Sequence, residues 1–321
     1  MKNILVITPV KHIENIVERL SELGHLFIVD DPSVADLHKL DFKPHVLFTN
    51  PNKSKVYLGE ESLQQFESLE CIVTASTGLV HIDLDYCNRK GIAVISITKE
   101  LDTLKEISST AELALLATLS ACRSYTQCVS DARDKNNWDY EQYIGRQINK
   151  RNIGVIGYGR LGEMYVRYMQ ALGANIFVYE IDKAKRVDGA INFVESLGEV
   201  FEKCDIVSLH CHATEDNLNL INKELLALSQ KNLILVNTAR GEIVNEHDIV
   251  GYLNKNPQAI YATDVIAYES EKRTESPLYN DLTNPGQLIL SQHIGGMTSD
   301  AQRMAYNRAV DLLVNWFNQA C

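Results

Sequence analysis

Basic residues are in short supply in this sequence. Lysine and arginine number 31 against 42 aspartates and glutamates, a formal charge of −11. Nucleic acids and anionic membrane surfaces are gripped by clustered cations, so neither is an expected partner; a small molecule held in a locally positive pocket is. The seven cysteines are scattered from Cys71 to Cys321 and contain no CxxC pair. This excludes a disulfide scaffold and reads as reduced thiols in a cytoplasmic protein. Long hydrophobic runs are also missing. The most apolar helical stretch, residues 113–119, is too short for a bilayer and is interrupted by Thr118. Only residues 4–7 form an apolar run before Thr8 and Pro9, so no secretory signal is expected. Metal-ligand spacing is absent as well. Cys204, His210, Cys211 and His212 cluster, but 210 and 212 share a strand face while 211 points away, and no further ligand pair follows; no metal is expected. There are no short repeats or low-complexity segments. Trp138, Tyr140 and Tyr143 suit packing better than base stacking in so acidic a chain.

What is present is an alternation. With 45% hydrophobic and 23% charged residues, the composition is that of a soluble globular protein, and 321 residues are too many for one typical core. Short β-branched runs alternate with longer amphipathic stretches, the mark of parallel α/β folding. The first series is ILVI (4–7), HLFIV (25–29), HVLF (45–48), ECIVTA (70–75) and IAVIS (92–96). A helical pattern at 13–24 lies between the first two, with Gly24 as its expected C-terminal stop. The second series starts at 152 with NIGVIG and continues through NIFVYE, INFV, DIVSLH, NLILVN, AIYATDV and QLILS. Each series suffices for its own sheet. Between them lie a long helix at about 109–123 and a polar arm at 136–152, suited to a hinge and to packing against another subunit. A final helix is expected over 298–320, with Thr298, Ser299 and Asp300 as N-cap candidates.

The stretch NIGVIGYGRLG places Gly157, Gly159 and Gly162 after a strand-like run and at the start of a helix-like one, with Arg160 and Leu161 between them. Glycines there allow a tight turn and close backbone approach, and the free N–H groups of the helix N-terminus can receive a pyrophosphate. Glu180 ends the next strand, 18 residues after Gly162, where an acid accepts from adenosine ribose hydroxyls. A carboxylate also repels a 2′-phosphate, so NAD is favoured over NADP, although Lys183, Lys185 and Arg186 follow closely and weaken that preference.

Ligands of open parallel sheets bind beyond the carboxyl ends of the strands. Three charged groups fall there: Arg240 after NLILVN, Glu269 after AIYATDV and His293 after QLILS. Singly they could be a surface cation, a solvated loop acid and a helix-adjacent histidine. Beside a cofactor site they suggest hydride chemistry on a carbonyl acid. A histidine can donate the proton the carbonyl oxygen requires, a carboxylate partner orients the ring and favours its charged form, and an arginine fork grips a substrate carboxylate. Reduction then needs the imidazole protonated and oxidation needs it neutral, so the two directions should show opposite pH trends. Gly295 and Gly296 would keep bulk away from the nicotinamide and the following turn.

With GYGRLG before them, TARGEIVNE, TDVIAYE and QHIGG resemble the D-isomer-specific 2-hydroxyacid dehydrogenase family, and ECIVTASTGLVHIDLDYCNRKGIAV (70–94) extends the likeness over nearly the whole chain. Phosphoglycerate-dehydrogenase-like members are the most similar. The resemblance implies Arg240 as substrate anchor, Glu269 as orienting acid and His293 as acid/base. It implies Thr238, Ala239 and Asp264 near the nicotinamide, His210 by the cofactor, and the Ser76, Thr77, Gly78 loop receiving the substrate carboxylate through the amides of Thr77 and Gly78. It also implies two doubly wound parallel-sheet domains that close over the substrate: a flavodoxin-like substrate domain, 1–101 plus 294–321, and a Rossmann NAD-binding domain, 102–293. A homodimer formed through the coenzyme domain is expected too. Asn52, Lys53 and Lys55 offer contacts for a phosphorylated substrate. The chain ends soon after its last helix, leaving no expected room for an appended regulatory domain.

Four positions depart from the family pattern: Ile266-Ala267 replaces the usual Phe-Glu after D-V, Ser270 follows Glu269 where proline is usual, and His212 likewise replaces proline. The charged groups needed for the reaction remain. The rival reading is an NAD-sensing, co-repressor-like binding protein of the same fold, which could retain all three. A formate- or phosphite-type dehydrogenase is disfavoured, since formate enzymes of this fold pair the histidine with glutamine.

Overall fold

The computed structural model describes residues 2–51, 56–79, 81–134, 138–187, 189–267, 269 and 273–319. The chain divides into two compact units, Met1–Ile107 with Met297–Cys321, and Ser108–Gly296.

The first unit carries five parallel strands: β1 (Lys2–Val6), β2 (Gly24–Ile28), β3 (Val46–Thr49), β4 (Cys71–Thr74) and β5 (Ala93–Ser96). Their order is β2-β1-β3-β4-β5, the flavodoxin-like winding. Successive residues of a strand face opposite ways, and both faces here are covered. Ile4 and Val6 therefore join one core with the final helix, Ser299–Gln319, through Tyr306, Ala309, Val310 and Leu313, while Leu5 and Ile7 join another with Leu37, Leu47 and Ile72. Thr298 caps that last helix, its Oγ1 accepting from the Ala301 amide at 3.2 Å.

The second unit has seven parallel strands: β6 (Asn152–Ile156), β7 (Asn175–Tyr179), β8 (Ile191–Phe193), β9 (Ile206–Leu209), β10 (Ile234–Asn237), β11 (Ile260–Thr263) and β12 (Leu288–Leu290). Numbered within the unit, their order is 3-2-1-4-5-6-7, a Rossmann sheet with one added edge strand. Helix Ser109–Cys122 covers one face with Arg160–Ala171, as the apolar run predicts. No helix among the described residues is long and apolar enough to cross a membrane.

Gly24 ends the preceding helix as expected, standing at its C-cap in extended rather than left-handed backbone. It is also the first residue of β2, and a Cβ there would lie 2.2 Å from the Lys2 carbonyl oxygen, so the glycine serves close strand pairing too. The units part after Ile107 and Gly296, a few residues beyond 101 and 293. Leu104 is buried with the first unit's core, and the amides of Ile294 and Gly295 are bonded to Asp264 of the second.

Candidate active site

The glycine loop does three different jobs. Gly157 has φ +94°, and a Cβ there would lie 2.7 Å from the Cys211 amide nitrogen. Gly162 packs the helix against the turn, since its Cβ would fall 2.1 Å from the Gly157 carbonyl oxygen. A Cβ on Gly159, by contrast, would meet nothing within 4 Å. That open face sits at the N-cap of Arg160–Ala171, a helix start that no side chain caps and whose dipole favours an anion. Glu180 is buried beside the loop and accepts from the amides of Tyr158 (2.7 Å) and Asp182 (2.9 Å). Of the three nearby cations, Lys183 and Arg186 pair with Glu195, and only Lys185 approaches Glu180, at 3.9 Å.

Beyond β10, Asn237 shapes the TAR turn. Its Oδ1 accepts from the Ala239 amide at 3.0 Å and its Nδ2 donates to the Arg240 carbonyl at 2.9 Å. Arg240 is half-buried, with one guanidinium N–H on Ala239 O at 2.7 Å. The Thr238 hydroxyl is buried without a partner among the described residues. This orphaned donor and the uncovered face at Gly159 both fit a bound dinucleotide.

His293 and Glu269 meet. The imidazole Nδ1 lies 2.7 Å from Glu269 Oε2, and Glu269 Oε1 accepts from the Ile266 amide at 3.2 Å. Both side chains remain about one-third exposed, so a substrate can reach them. His293 adopts φ +54°, a left-handed conformation that a non-glycine residue holds only when its surroundings compel it. Asp264 supplies the compulsion. Its Oδ1 accepts from Ser291 Oγ (2.6 Å) and the Ile294 amide (2.8 Å), its Oδ2 from the Gly295 amide (2.7 Å), and its carbonyl from the His293 amide (2.8 Å). The Asp264 carboxylate is thus engaged in holding the turn. Gly295 also has a nearer reason than nicotinamide: a Cβ there would press on Asp264 Oδ2 and Thr110, both at 3.1 Å.

Sequence reasoning missed three supports. Asn237 is one. Gly241 is another, because a Cβ there would fall 2.0 Å from the Ile266 carbonyl carbon, so only glycine lets the loop of Arg240 lie against the loop of Glu269. The third is Glu246, buried at the start of helix Glu246–Lys255, which accepts from the Ala267 amide (2.8 Å) and Ser276 Oγ (2.6 Å) and ties both ends of the Glu269 loop. A buried acid beside an N-cap asparagine was the available signal, but its partners lie 21 and 30 residues away.

In the first unit, Thr98 Oγ1 donates to the Thr77 carbonyl (2.9 Å) and Ser76 Oγ to that of Gly78 (2.8 Å), fixing the loop after β4. The amides of Thr77 and Gly78 donate to no described residue. Asn52, Lys53 and Lys55 lie outside the described residues, as do Tyr268 and Ser270.

Two histidines are held neutral. Burial pulls the imidazole of His81 down to about 4 and that of His210 down to about 3. The unfolded chain protonates them near the ordinary value of 6.5, so their contribution to stability is complete above that pH and is lost as pH falls through 6.5 toward 4. Denaturant unfolding near pH 5 should give a stability lower by about 1–2 kcal/mol per histidine than near pH 7. His81→Gln should flatten that slope; an unchanged slope would contradict the assignment.

The fold and these loops define a dinucleotide-binding α/β protein with an acid/base pair at the carboxyl edge of its sheet. Residues 115–295 match the family model described as D-isomer specific 2-hydroxyacid dehydrogenase, NAD binding domain. The chain belongs to the D-isomer specific 2-hydroxyacid dehydrogenase family, and NAD is the cofactor of this domain. It is 28% identical over 307 residues to a D-3-phosphoglycerate dehydrogenase of Methanocaldococcus jannaschii, covering 95% of this chain and 55% of that one. It is 24% identical over 304 residues to a hydroxypyruvate reductase of Blautia hydrogenotrophica, covering 92% and 89%. A solved D-lactate dehydrogenase of Aquifex aeolicus, complexed with NAD and lactic acid, superposes with TM-score 0.79 at 25% identity, covering 99% and 96%. The chain spans about half the length of the phosphoglycerate dehydrogenases it matches.

Proposed function

We propose that this protein is an NAD-dependent oxidoreductase that interconverts a D-2-hydroxy acid and a 2-keto acid. The observation that carries the reading is the 2.7 Å contact of His293 Nδ1 with Glu269, beside the Arg240 loop and in the unit that holds the glycine cradle. NAD, when bound, supplies the two-electron redox chemistry at the carbon that bears the substrate oxygen. The start of helix Arg160–Ala171 and the Arg160 side chain would hold its pyrophosphate, Glu180 its adenosine ribose, and His210, Thr238 and Ala239 would line the remainder. Asp264 contributes by setting the backbone of 291–295.

His293 moves the proton. With Glu269 ionised, Nδ1 carries a hydrogen toward it, and Nε2 gives a proton to the keto oxygen in reduction or takes one from the hydroxyl in oxidation. Arg240 offers a charge-assisted fork to the substrate carboxylate. In the first unit, the amides of Thr77 and Gly78 have no acceptor among the described residues and suit an anion. The relatives are named for phosphoglycerate, hydroxypyruvate and lactate, so the substrate side chain is the open variable. An NADH-oxidation screen of 2-keto acids, with and without a phosphate group and with His293→Ala as blank, tests the reading. NADH binding without turnover across the panel would point instead to a dinucleotide-sensing protein.

The second unit also presents an apolar face to water. Leu116 on the long helix and Trp138, Tyr140 and Ile144 on the arm are 56%, 89%, 77% and 76% exposed. Such a contiguous face is costly in a lone subunit, and we assign it to a homodimer. Sedimentation velocity should show a dimer that Ile144→Asp dissociates; a monomeric wild type would refute the assignment.

A further inference from the structure

Behind the loop that follows β4 lies a row of polar side chains, all within the first unit. Thr74 ends the strand and is fully excluded from water, Ser76 stands in the loop, and His81 is buried shortly before helix Leu84–Lys90. Thr74 Oγ1 lies 2.8 Å from Ser76 Oγ and 3.3 Å from His81 Nε2, and Ser76 Oγ donates to the Gly78 carbonyl at 2.8 Å. A second row reaches the same loop from the end of β5. Ser96 Oγ donates to Thr98 Oγ1 at 3.0 Å, and Thr98 Oγ1 donates to the Thr77 carbonyl at 2.9 Å.

Each hydroxyl has a single proton, so the directions in the first row follow one from another. A carbonyl only accepts, which commits the Ser76 proton to Gly78. Two hydroxyl oxygens 2.8 Å apart need a hydrogen between them, so Thr74 donates to Ser76. Thr74 Oγ1 is then left as an acceptor toward the ring, and the imidazole donates from Nε2. The other tautomer would set an Nε2 lone pair against that oxygen and bury an N–H at Nδ1, an atom with no partner among the described residues. Burial holds the ring neutral, which removes the doubly protonated form.

We infer that His81 is a positioning residue for an anion site, its Nε2–H tautomer anchoring the hydroxyls that fix the Thr77–Gly78 turn so that the two free amides meet the substrate carboxylate. The carboxylate half rests on the proposed 2-keto acid chemistry; the tautomer rests on the hydrogen bonds alone. The geometry of the peptide group carries the link. The Thr77 C=O and the Gly78 N–H belong to one planar trans unit and point opposite ways, so the hold of Thr98 on that oxygen aims the amide away from it. The hold of Ser76 on the next carbonyl stops the turn from rotating about Gly78, the residue with the freest backbone in it. Neither amide donates to a described residue. Successive N–H groups fixed in a turn form a concavity that suits a carboxylate oxygen.

Nitrogen-15 NMR of the protein with NADH bound reads both halves. The His81 ring should carry its proton on Nε2, and oxalate, a dicarboxylate with no ketone to reduce, should shift the Thr77 and Gly78 amide signals to saturation. Thr74→Val keeps the shape of the side chain but removes the hydroxyl that joins ring to loop. The oxalate dissociation constant should rise about tenfold in that variant, the worth of about one hydrogen bond. The NADH dissociation constant, followed by fluorescence, should stay as in the wild type, because the cradle belongs to the second unit. Thr74→Ser, which keeps the hydroxyl, should bind oxalate as the wild type does. Ser76→Ala gives a second readout if the valine variant fails to fold. A merely structural role would weaken both ligands together or neither, and either result overturns the inference, as does an Nδ1–H signal in the wild type. Wild-type amides that oxalate leaves unmoved overturn the carboxylate half, while the ring signal still reads the tautomer, so a failed substrate reading is told apart.

Discussion

His293→Ala should lower kcat for reduction of the preferred 2-keto acid by about 10²–10⁴-fold, the range for loss of a positioned general acid. Binding of NADH should change little, because the cradle residues lie on other loops. Glu269→Gln should approach the same loss by a different route. The wild-type carboxylate accepts from Nδ1 at 2.7 Å and so keeps the exchangeable position on Nε2. A glutamine amide can donate to Nδ1 instead, holding the proton on Nε2 through both directions of the reaction. The variant should then fall furthest in oxidation, where Nε2 must receive a proton. An orienting carboxylate in an acid/base pair is worth up to about 10⁴-fold by this tautomer effect. Steady-state rates in both directions check the argument, and activity surviving in His293→Ala would sink the assigned role.

Gly241→Ala should be the most damaging single methyl in the second unit's site. Its Cβ would fall 2.0 Å from Ile266 C, 2.3 Å from Ala267 N and 2.3 Å from Ile266 O, all backbone atoms. A rotamer change cannot relieve such contacts, so the two loops must move apart by roughly an ångström. Arg240 precedes the glycine directly, and Glu269 is held through the Ile266 amide. The displacement therefore separates Arg240 from the His293–Glu269 pair. A misplacement of about 1 Å costs on the order of 10²-fold in rate. The Ala267 amide bond to Glu246 would stretch as well, so the thermal midpoint should fall by several degrees, as for a loss of about 1–3 kcal/mol. Wild-type kcat together with an unchanged midpoint would show that the loops are not mutually constrained.

These predictions differ in how far they could be reached from sequence. The glycine triplet, Glu180 at its distance and the three charged residues past strand ends depend on local spacing, and local spacing is what a linear chain displays. Each of these landed at the sheet's carboxyl edge because a parallel sheet aligns its strand ends. Gly24 shows how a local signal can be right and incomplete. A glycine after a helical pattern reads as a stop, and it is one, yet it also answers a neighbouring strand.

By itself, the sequence determined the alternation of strand and helix, the division into two sheets, and the dinucleotide cradle, since periodicity and glycine spacing act over a few residues. It also determined which ionisable groups could reach the edge of the second sheet. Tertiary structure alone decided that Glu269 bonds to His293, that Asp264 braces the histidine's strained backbone, and that Glu246 clamps a loop more than 20 residues away. Those are contacts between segments far apart in the chain, and no periodicity encodes them; they exist only once the strands have aligned.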